Sequence, residues 1–502
     1  MQEGICLITP PSVFLLDERV FMNLGILKVA AVLEQAAIPV EVLDLSGVQN
    51  FEEAVADHAV SSRCRIFGLT ATTPQLPAAS RICAVIRRVR PEARVILGGP
   101  HVTLVNAAFK RERKNAIDGR AGRALRQLRE TFDVLVAGDG EEAIFQATQP
   151  GAPPLIDADE PSSLLFLSNR RLAEIPLPAR HLVDVGSYHY TIDGTPALSM
   201  IAQLGCPFGC GFCGGRDSSF LRRVRTRPST NVVAEMVHLY ERYGVRGFML
   251  YDDELNVNPK MVELMDLIAK AADRLGTSFR LRGFIKAELF TDEQAHHMYR
   301  AGFRWILTGF ESGSPRILKN INKRATIEDN TRCIEIARRH GLKVKSLMSL
   351  GHPGESEETI GQTRAWLLQT QPEDFDLTII TTYPGSPYYD HAVPHPEKPG
   401  VWIYTVNSDV LYSYELDYSQ VADYYKGDPN GGYQAYVYTE HLSCEELVMH
   451  RDAIEREVRH KLKIPAAAGA AAQRYEHSMG QFGVLPPNIL RSSEPARHAA
   501  AS

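Results

Sequence analysis

Long apolar runs are missing from this sequence. No stretch of eighteen consecutive apolar residues occurs in its 502, and the first residues, Met1-Gln-Glu-Gly-Ile-Cys6, enter a strand pattern almost at once. The reading is a chain with neither signal peptide nor membrane span, expected in the cytoplasm. Excess positive charge is missing too: the formal net charge of −5 argues against general nucleic-acid or anionic-membrane binding. Cysteines are few. Five of the eight (Cys6, Cys64, Cys83, Cys333 and Cys444) lie singly among apparent strands and helices, as free thiols in a reducing compartment do. The 44% hydrophobic and 23% charged content is that of a soluble globular protein with sizeable cores, and the length suggests about three domains.

The remaining cysteines are concentrated. Cys206, Cys210 and Cys213 form a CxxxCxxC spacing directly after the apolar run at 198–204. Glycines at 205, 209, 211, 214 and 215 let the backbone curl so that three thiolates converge. Such a set holds zinc or an iron–sulfur cluster. A zinc site needs a fourth ligand, usually in a second CxxC or HxxxH pair, and none follows at such spacing.

Upstream, five short apolar segments near 4–9, 40–44, 65–70, 94–99 and 133–137 alternate with helical patterns. That order implies a parallel, doubly wound α/β sheet of Rossmann-like type, with ligands at the carboxyl ends of its strands. Those ends carry Thr9, Thr70-Ala-Thr72-Thr73, Gly98-Gly99-Pro-His101 and Gly138-Asp-Gly140-Glu141. Glycines there let the backbone approach a large flat ligand, and threonine hydroxyls can bond its polar edge. The basic stretch Lys110 to Arg129 reads as a solvated helix face rather than a nucleic-acid site.

Downstream, six strand–helix repeats run from 198 to 382, with strands near 198–205, 247–252, 279–285, 305–311, 343–350 and 376–382. Thr291 and Thr326 look like helix N-caps, and Gly244, Gly302 and Gly341 like helix ends. Six units make a partial (β/α)6 version of the parallel barrel, with its chemistry at the strand carboxyl ends.

The CxxxCxxC motif, with Phe212 before its last cysteine, resembles that of the radical S-adenosylmethionine (radical SAM) enzymes. The glycine- and threonine-rich loops resemble the cobalamin-binding domains found upstream of many such enzymes. The resemblance implies a 4Fe–4S cluster on Cys206, Cys210 and Cys213, its open iron chelated by SAM. It places Asp252 or Asp253, in Tyr251-Asp-Asp-Glu254, on the SAM amine; the family's usual Gly-Gly-Glu is absent, so the choice stays open. Gly309-Phe-Glu311-Ser312-Gly-Ser314 is similar to a family GxESGS motif, which makes Glu311 and Ser312 candidate SAM contacts alongside Phe212. Gly351-His-Pro-Gly-Glu355 resembles the family's GxPGE turn, and Lys286 is a possible partner of the SAM carboxylate. Thr9, Thr70, Thr72, Thr73, Gly98, Gly99, His101, Gly138, Gly140 and Glu141 become cobalamin contacts, His101 as a loop hydrogen-bonder rather than a cobalt ligand. The DxHxxG motif that gives larger cobalamin families a histidine ligand is absent; Asp57-His58-Ala-Val-Ser-Ser does not fit it.

By resemblance the activity is methyl transfer from methylcobalamin to an unactivated carbon (less often phosphorus) of a small metabolite, through a 5′-deoxyadenosyl radical. A cobalamin-dependent cyclase, oxidase or ring-rearranging enzyme is the alternative. Catalytic residues are not assigned. The expected partners are a small-molecule substrate and an external electron donor such as flavodoxin or ferredoxin. Domain limits read as 1–148 for cobalamin binding, 149–195 as a proline-rich linker, 196–390 as the radical SAM domain and 391–464 as a C-terminal unit. Its tyrosines suit either a cap over substrate or a satellite core. The Ala-rich stretch 465–502 reads as disordered.

Overall fold

A computed structural model describes residues 4–12, 18–422 and 433–464; the tail expected to be disordered lies outside them. Six parallel strands form the first sheet in the order β2-β1-β3-β4-β5-β6. They are β1 Ile5–Thr9, β2 Val40–Asp44, β3 Ile66–Thr70, β4 Arg94–Gly98, β5 Val134–Gly138 and β6 Leu155–Ala158. Helices α1 (Leu24–Gln35) and α6 (Gly140–Ala147) pack on one face with Ile5, Leu7, Ile96 and Val136. On the other face α2 (Phe51–Ser61), α3 (Leu76–Val89), α4 (Pro100–Lys114) and α5 (Arg120–Thr131) bury Cys6, Ile8, Phe67 and Val95. Alternate residues of each strand thus serve opposite cores. Strand β6 lies in the stretch expected as linker and pairs with β5, so the prolines around it end the strand rather than prevent it.

The second sheet has the order β15-β14-β13-β12-β11-β8-β7. Strands β7 (Thr191–Ile192) and β8 (Thr195–Met200) are an antiparallel hairpin, and β9 (Gln203–Leu204) with β10 (Arg225–Thr226) brackets the cysteine loop. From β8 onward the sheet is parallel through β11 (Gly247–Leu250), β12 (Arg280–Phe284), β13 (Phe303–Glu311), β14 (Lys343–Leu350) and β15 (Asp374–Ile379). With a helix after each strand, this is the expected partial barrel. Thr291 and Thr326 form capping boxes with Gln294 and Asp329, and Gly244 and Gly302 end their helices in the left-handed conformation.

The C-terminal unit is an antiparallel sheet of β16 (Val393–Pro394), β17 (Val401–Val406), β18 (Asp409–Tyr414) and β19 (Val437–Thr439), followed by the helix Cys444–Leu462. That helix covers the open edge of the barrel. Glu455 Oε1 accepts the Leu377 N–H of β15 at 3.1 Å, and Arg451 Nε donates to Leu377 O at 3.0 Å. An edge strand satisfied by side chains in this way is closed to further pairing.

The basic stretch is not simply a solvated face. Arg120 is buried, its guanidinium 3.7 Å from the Tyr389 ring centroid and 3.6 Å from that of Trp402, and Arg111 donates to Asp390 O at 2.6 Å. These arginines fasten the first domain to the end of the barrel domain at Tyr389 and Asp390 and, through Trp402, to the C-terminal unit, contacts invisible to a charge count.

Candidate active site

The loop of Cys206, Cys210 and Cys213 leaves β9 at the carboxyl end of the barrel and is held by backbone bonds from several elements. Cys206 N donates to Leu221 O at 3.0 Å, and Gly211 N to Ile321 O at 2.8 Å. Arg222 reaches across it. Its guanidinium donates to Cys213 Sγ at 3.3 Å and to the carbonyls of Phe208 at 3.2 Å, Gly215 at 3.1 Å and Gly214. Burial pushes the Cys206 thiol up to about 12 and raises Cys210 as well, so neither is tuned as a free nucleophile.

Sulfurs on one tetrahedral zinc would lie about 3.8 Å apart. These three do not all come within 4.8 Å of one another. The wider triangle fits a 4Fe–4S cluster with three protein ligands and one open iron.

The acidic tip after β11 divides its labour. Asp252 is buried, and its Oδ1 accepts the backbone N–H groups of Ala202 at 2.7 Å and Gln203 at 2.5 Å; its Oδ2 has no partner. Burial pushes its pKa up to about 7. Asp253 accepts the Gly205 N–H at 2.7 Å and stays open to solvent. Burial raises Glu254 to about 7 against the pull of Lys323 and Lys286.

Beside them runs a chain of buried polar groups. Glu311 has φ +67° and follows a register shift in β13, a bulge that turns its carboxylate inward. One oxygen meets Lys323 Nζ at 3.1 Å and the other accepts Ser349 Oγ at 2.8 Å. Ser349 Oγ lies 2.8 Å from His352 Nε2, and His352 Nδ1 is 3.3 Å from the Tyr388 hydroxyl. Burial holds His352 at about 4, hence neutral. Burial works to lower Lys323, but Glu311, Cys210 and Glu254 outweigh it and keep the ammonium charged.

A cavity of about 290 Å³ opens here, lined by Phe212, Glu311, Met348, Ser349, Thr378 and Tyr433 among others. Ser312 is turned away from it: its hydroxyl lies 3.0 Å from Thr363 Oγ1 and accepts Ser314 N–H at 3.1 Å. Lys286 is not the exposed lysine that usage favours. It is 2% exposed, 2.9 Å from Glu288, and sits 4.7 Å above the Phe208 ring of the cysteine loop. Lys323, Arg222, His352 and Tyr388 were not identified from sequence; only the Gly-His-Pro-Gly turn hinted at His352.

A second cavity, of about 300 Å³ and mostly apolar, sits where strands of the first sheet end. Thr70, Thr72, Gly98, Gly99, Gly138, Gly140 and Glu141 line it, with Leu7, Ile26, Ile96 and Val136 beneath. Gly99 (φ +95°) and Gly138 (φ +86°) need their missing side chains. A Cβ at 99 would lie 2.8 Å from Ala71 N, and one at 138 would lie 2.5 Å from Ala158 C. Thr9, Thr73 and His101 do not line it. Thr9 O accepts Leu45 N–H, and His101 Nδ1 lies 3.1 Å from Thr73 Oγ1 in a buried pair, its pKa pulled down to about 4 by burial. The cavity's outer wall comes from the other domain: Ile201, Leu204 and Phe220. An apolar recess with bare glycine backbone at its rim suits one part of a large flat cofactor such as cobalamin, the whole of which it is too small to enclose.

A family model for the radical SAM superfamily matches residues 200–367, and one for a B12 binding domain matches residues 18–129. The chain is 26% identical over 328 residues to an uncharacterized methyltransferase of Pyrococcus horikoshii, covering 65% of this chain and 69% of that one. It is 26% identical over 341 residues to an anaerobic magnesium-protoporphyrin IX monomethyl ester cyclase of Cereibacter sphaeroides, covering 64% of this chain and about half (52%) of the cyclase. The fold matches the structure of TsrM, a radical S-adenosylmethionine methyltransferase from Kitasatospora setae, bound to cobalamin and a [4Fe-4S] cluster. That match has a TM-score of 0.66 at 18% identity and covers 90% of this chain and 91% of that one.

Proposed function

The chain belongs to the cobalamin-binding radical SAM enzymes, and from that we infer that it is a methyltransferase working through cobalamin. The acceptor is an unactivated carbon, or less readily a phosphorus, of a small metabolite or biosynthetic intermediate. One observation carries the reading: residues 201, 204 and 220, which flank the cysteine loop, wall the cobalamin cavity. A methyl donor seated there faces the place where SAM and substrate would bind.

When bound, the cofactors would supply a 5′-deoxyadenosyl radical and a transferable methyl group. The chain's own residues bind, orient and shield. Cys206, Cys210 and Cys213 hold the cluster, and Arg222 fixes the loop around them. Asp253 and Glu254 offer carboxylates to the SAM amine, and Glu311, braced by Lys323 and Ser349, faces the shared cavity with Phe212. Tyr433 closes that cavity from the C-terminal unit, its hydroxyl accepting the Ile379 N–H at 2.7 Å.

An external electron carrier, of the flavodoxin or ferredoxin kind, completes the scheme. An open cleft of about 940 Å³ reaches the cysteine loop at Gly209 and Gly211 and is rimmed by Lys110, Arg111, Lys114, Arg216 and Lys319. Its charge suits an acidic carrier.

Cyclisation or oxidation without methyl transfer is the second reading, favoured by the cyclase relatives. SAM labelled at its methyl group separates the two. Methyl transfer yields S-adenosylhomocysteine and 5′-deoxyadenosine in equal amounts, with label in the product. Turnover that releases 5′-deoxyadenosine alone, with an unlabelled product, establishes the second reading.

A further inference from the structure

On the face of the first sheet opposite the cobalamin cavity, three metal-ligating groups from three elements converge. Cys6 of β1 stands directly across from Glu41 of β2 in the parallel register, and His58 of α2 leans over both. Cys6 Sγ is 3.4 Å from His58 Nε2, the same nitrogen is 2.9 Å from Glu41 Oε2, and all three ligand atoms lie within 4.8 Å of one another. One ring nitrogen facing a sulfur and a carboxylate oxygen at once cannot give both a straight hydrogen bond. Around a tetrahedral zinc the sulfur–nitrogen and nitrogen–oxygen separations would be about 3.6 Å and about 3.4 Å. The sulfur–nitrogen separation is already close to this, while the nitrogen–oxygen one is a hydrogen-bond distance that would open by about 0.5 Å around the ion.

A supporting bond is present. Cys64, buried just before β3, is not one of the three converging groups. Ser62 Oγ donates to Glu41 Oε2 at 2.8 Å and accepts Cys64 N–H at 3.0 Å, tying the carboxylate to the Cys64 backbone. Such outer bonds orient metal ligands. The side chains of His58 and Glu41 are 30% and 37% exposed, so an ion can enter from solvent.

We propose that Cys6, Glu41 and His58 form a zinc site, with water at the fourth position, that pins α2 to the β1–β2 edge. A sulfur, an imidazole and a carboxylate suit zinc among the common divalent ions. The site is independent of the cluster cysteines and of the proposed reaction.

The test is metal analysis of the full-length chain after incubation with zinc salt and desalting, alongside a Cys206→Ser/Cys210→Ser/Cys213→Ser chain that removes zinc bound at the cluster loop. Both should retain about one zinc, with X-ray absorption showing sulfur at about 2.3 Å and lighter ligands at about 2.0–2.1 Å. His58→Ala and Glu41→Gln, at half-exposed positions that leave the cobalamin cavity intact, should hold zinc at least tenfold more weakly against a chelator while still binding cobalamin. Cys6→Ser should lose it. Absence of zinc from the wild-type and cluster-null chains overturns the proposal. So does zinc retained undiminished in His58→Ala and Cys6→Ser.

Discussion

Asp139 and Arg225 meet 2.6 Å apart across the junction of the two cofactor domains, each with its side chain 1% exposed. Asp139 also accepts the Leu167 N–H at 2.9 Å and lines the cobalamin cavity, while Arg225 lies over the rings of Phe166 and Phe220. Removing one partner leaves the other charge buried and alone, at a cost of about 3–5 kcal/mol. Arg225→Ala should therefore lower the thermal midpoint and weaken cobalamin binding together. Asp139→Leu/Arg225→Leu should recover much of the stability but not the cobalamin affinity, because the polar cavity wall is gone. A single variant as stable as the wild type would mean that the pair does not hold the junction.

The acidic tip gives a sharper division than its sequence allowed. Asp252 spends one oxygen on two backbone amides at the entrance of the cysteine loop, so Asp252→Asn should lower iron retention and loop stability. Asp253→Asn and Glu254→Gln should leave the cluster in place and weaken SAM binding. A charge-assisted hydrogen bond contributes about 1.5–3 kcal/mol, so the loss should be roughly ten- to a hundredfold. Calorimetric titration of SAM into reconstituted chains decides it. SAM affinity lost in Asp252→Asn with full iron content and unchanged affinity in the other two would return the role to Asp252.

Legibility followed the reach of each interaction. The strand–helix order and the cysteine loop depend on local periodicity and spacing, so β1 to β5, the barrel strands and the threonine caps could be read directly. The lysines could not. Lys286 and Lys323 are charged residues whose burial depends on Glu288, Glu311 and a ring 78 residues upstream of Lys286, Phe208. Arg120 was read with its basic neighbours, yet its partners Tyr389 and Trp402 lie more than 260 residues away. Strand β6 was hidden because its prolines flank it rather than interrupt it. His58 does not fit the cobalt-ligand motif, and only the packing of α2 on the β1–β2 edge brings it to Cys6 and Glu41.

His101 supplies a pH dependence with a definite sign. Its folded pKa is near 4 because the ring is buried, whereas the unfolded chain takes up the proton below about 6.5. Protonation thus favours the unfolded state as pH falls from about 6.5 to about 4, and has no effect above. His101→Asn can keep a bond to Thr73 without titrating. The stability of wild type minus variant should fall by up to about 3 kcal/mol as pH is lowered from about 7 to about 4. Unfolding midpoints measured across that range check it, and a constant offset rejects the argument.

Among the described residues no histidine lines the cavity proposed for cobalamin. The cob(II)alamin form should therefore show no nitrogen splitting from a protein imidazole in its paramagnetic resonance. Splitting that vanishes in His101→Ala would mean that the loop at Gly98–Thr103 rearranges when cobalamin binds.

The basic cleft beside the cysteine loop makes the last prediction kinetic. Lys114 and Lys319 are exposed on opposite walls, from α4 and from the helix Pro315–Asn320, and Arg216 donates to Gly209 O in the loop itself. Charge at such a rim acts mainly on the rate of encounter, by factors of about 10 to 1000 at low salt. Lys114→Glu/Lys319→Glu should slow 5′-deoxyadenosine formation at least tenfold when the electron comes from an acidic flavodoxin. The difference should shrink at about 1 M salt, where the screening length falls to about 3 Å. With dithionite, a small reductant that needs no docking surface, variant and wild type should turn over alike. If the variant is slowed equally with both reductants, these lysines act on the chemistry and the carrier docks elsewhere.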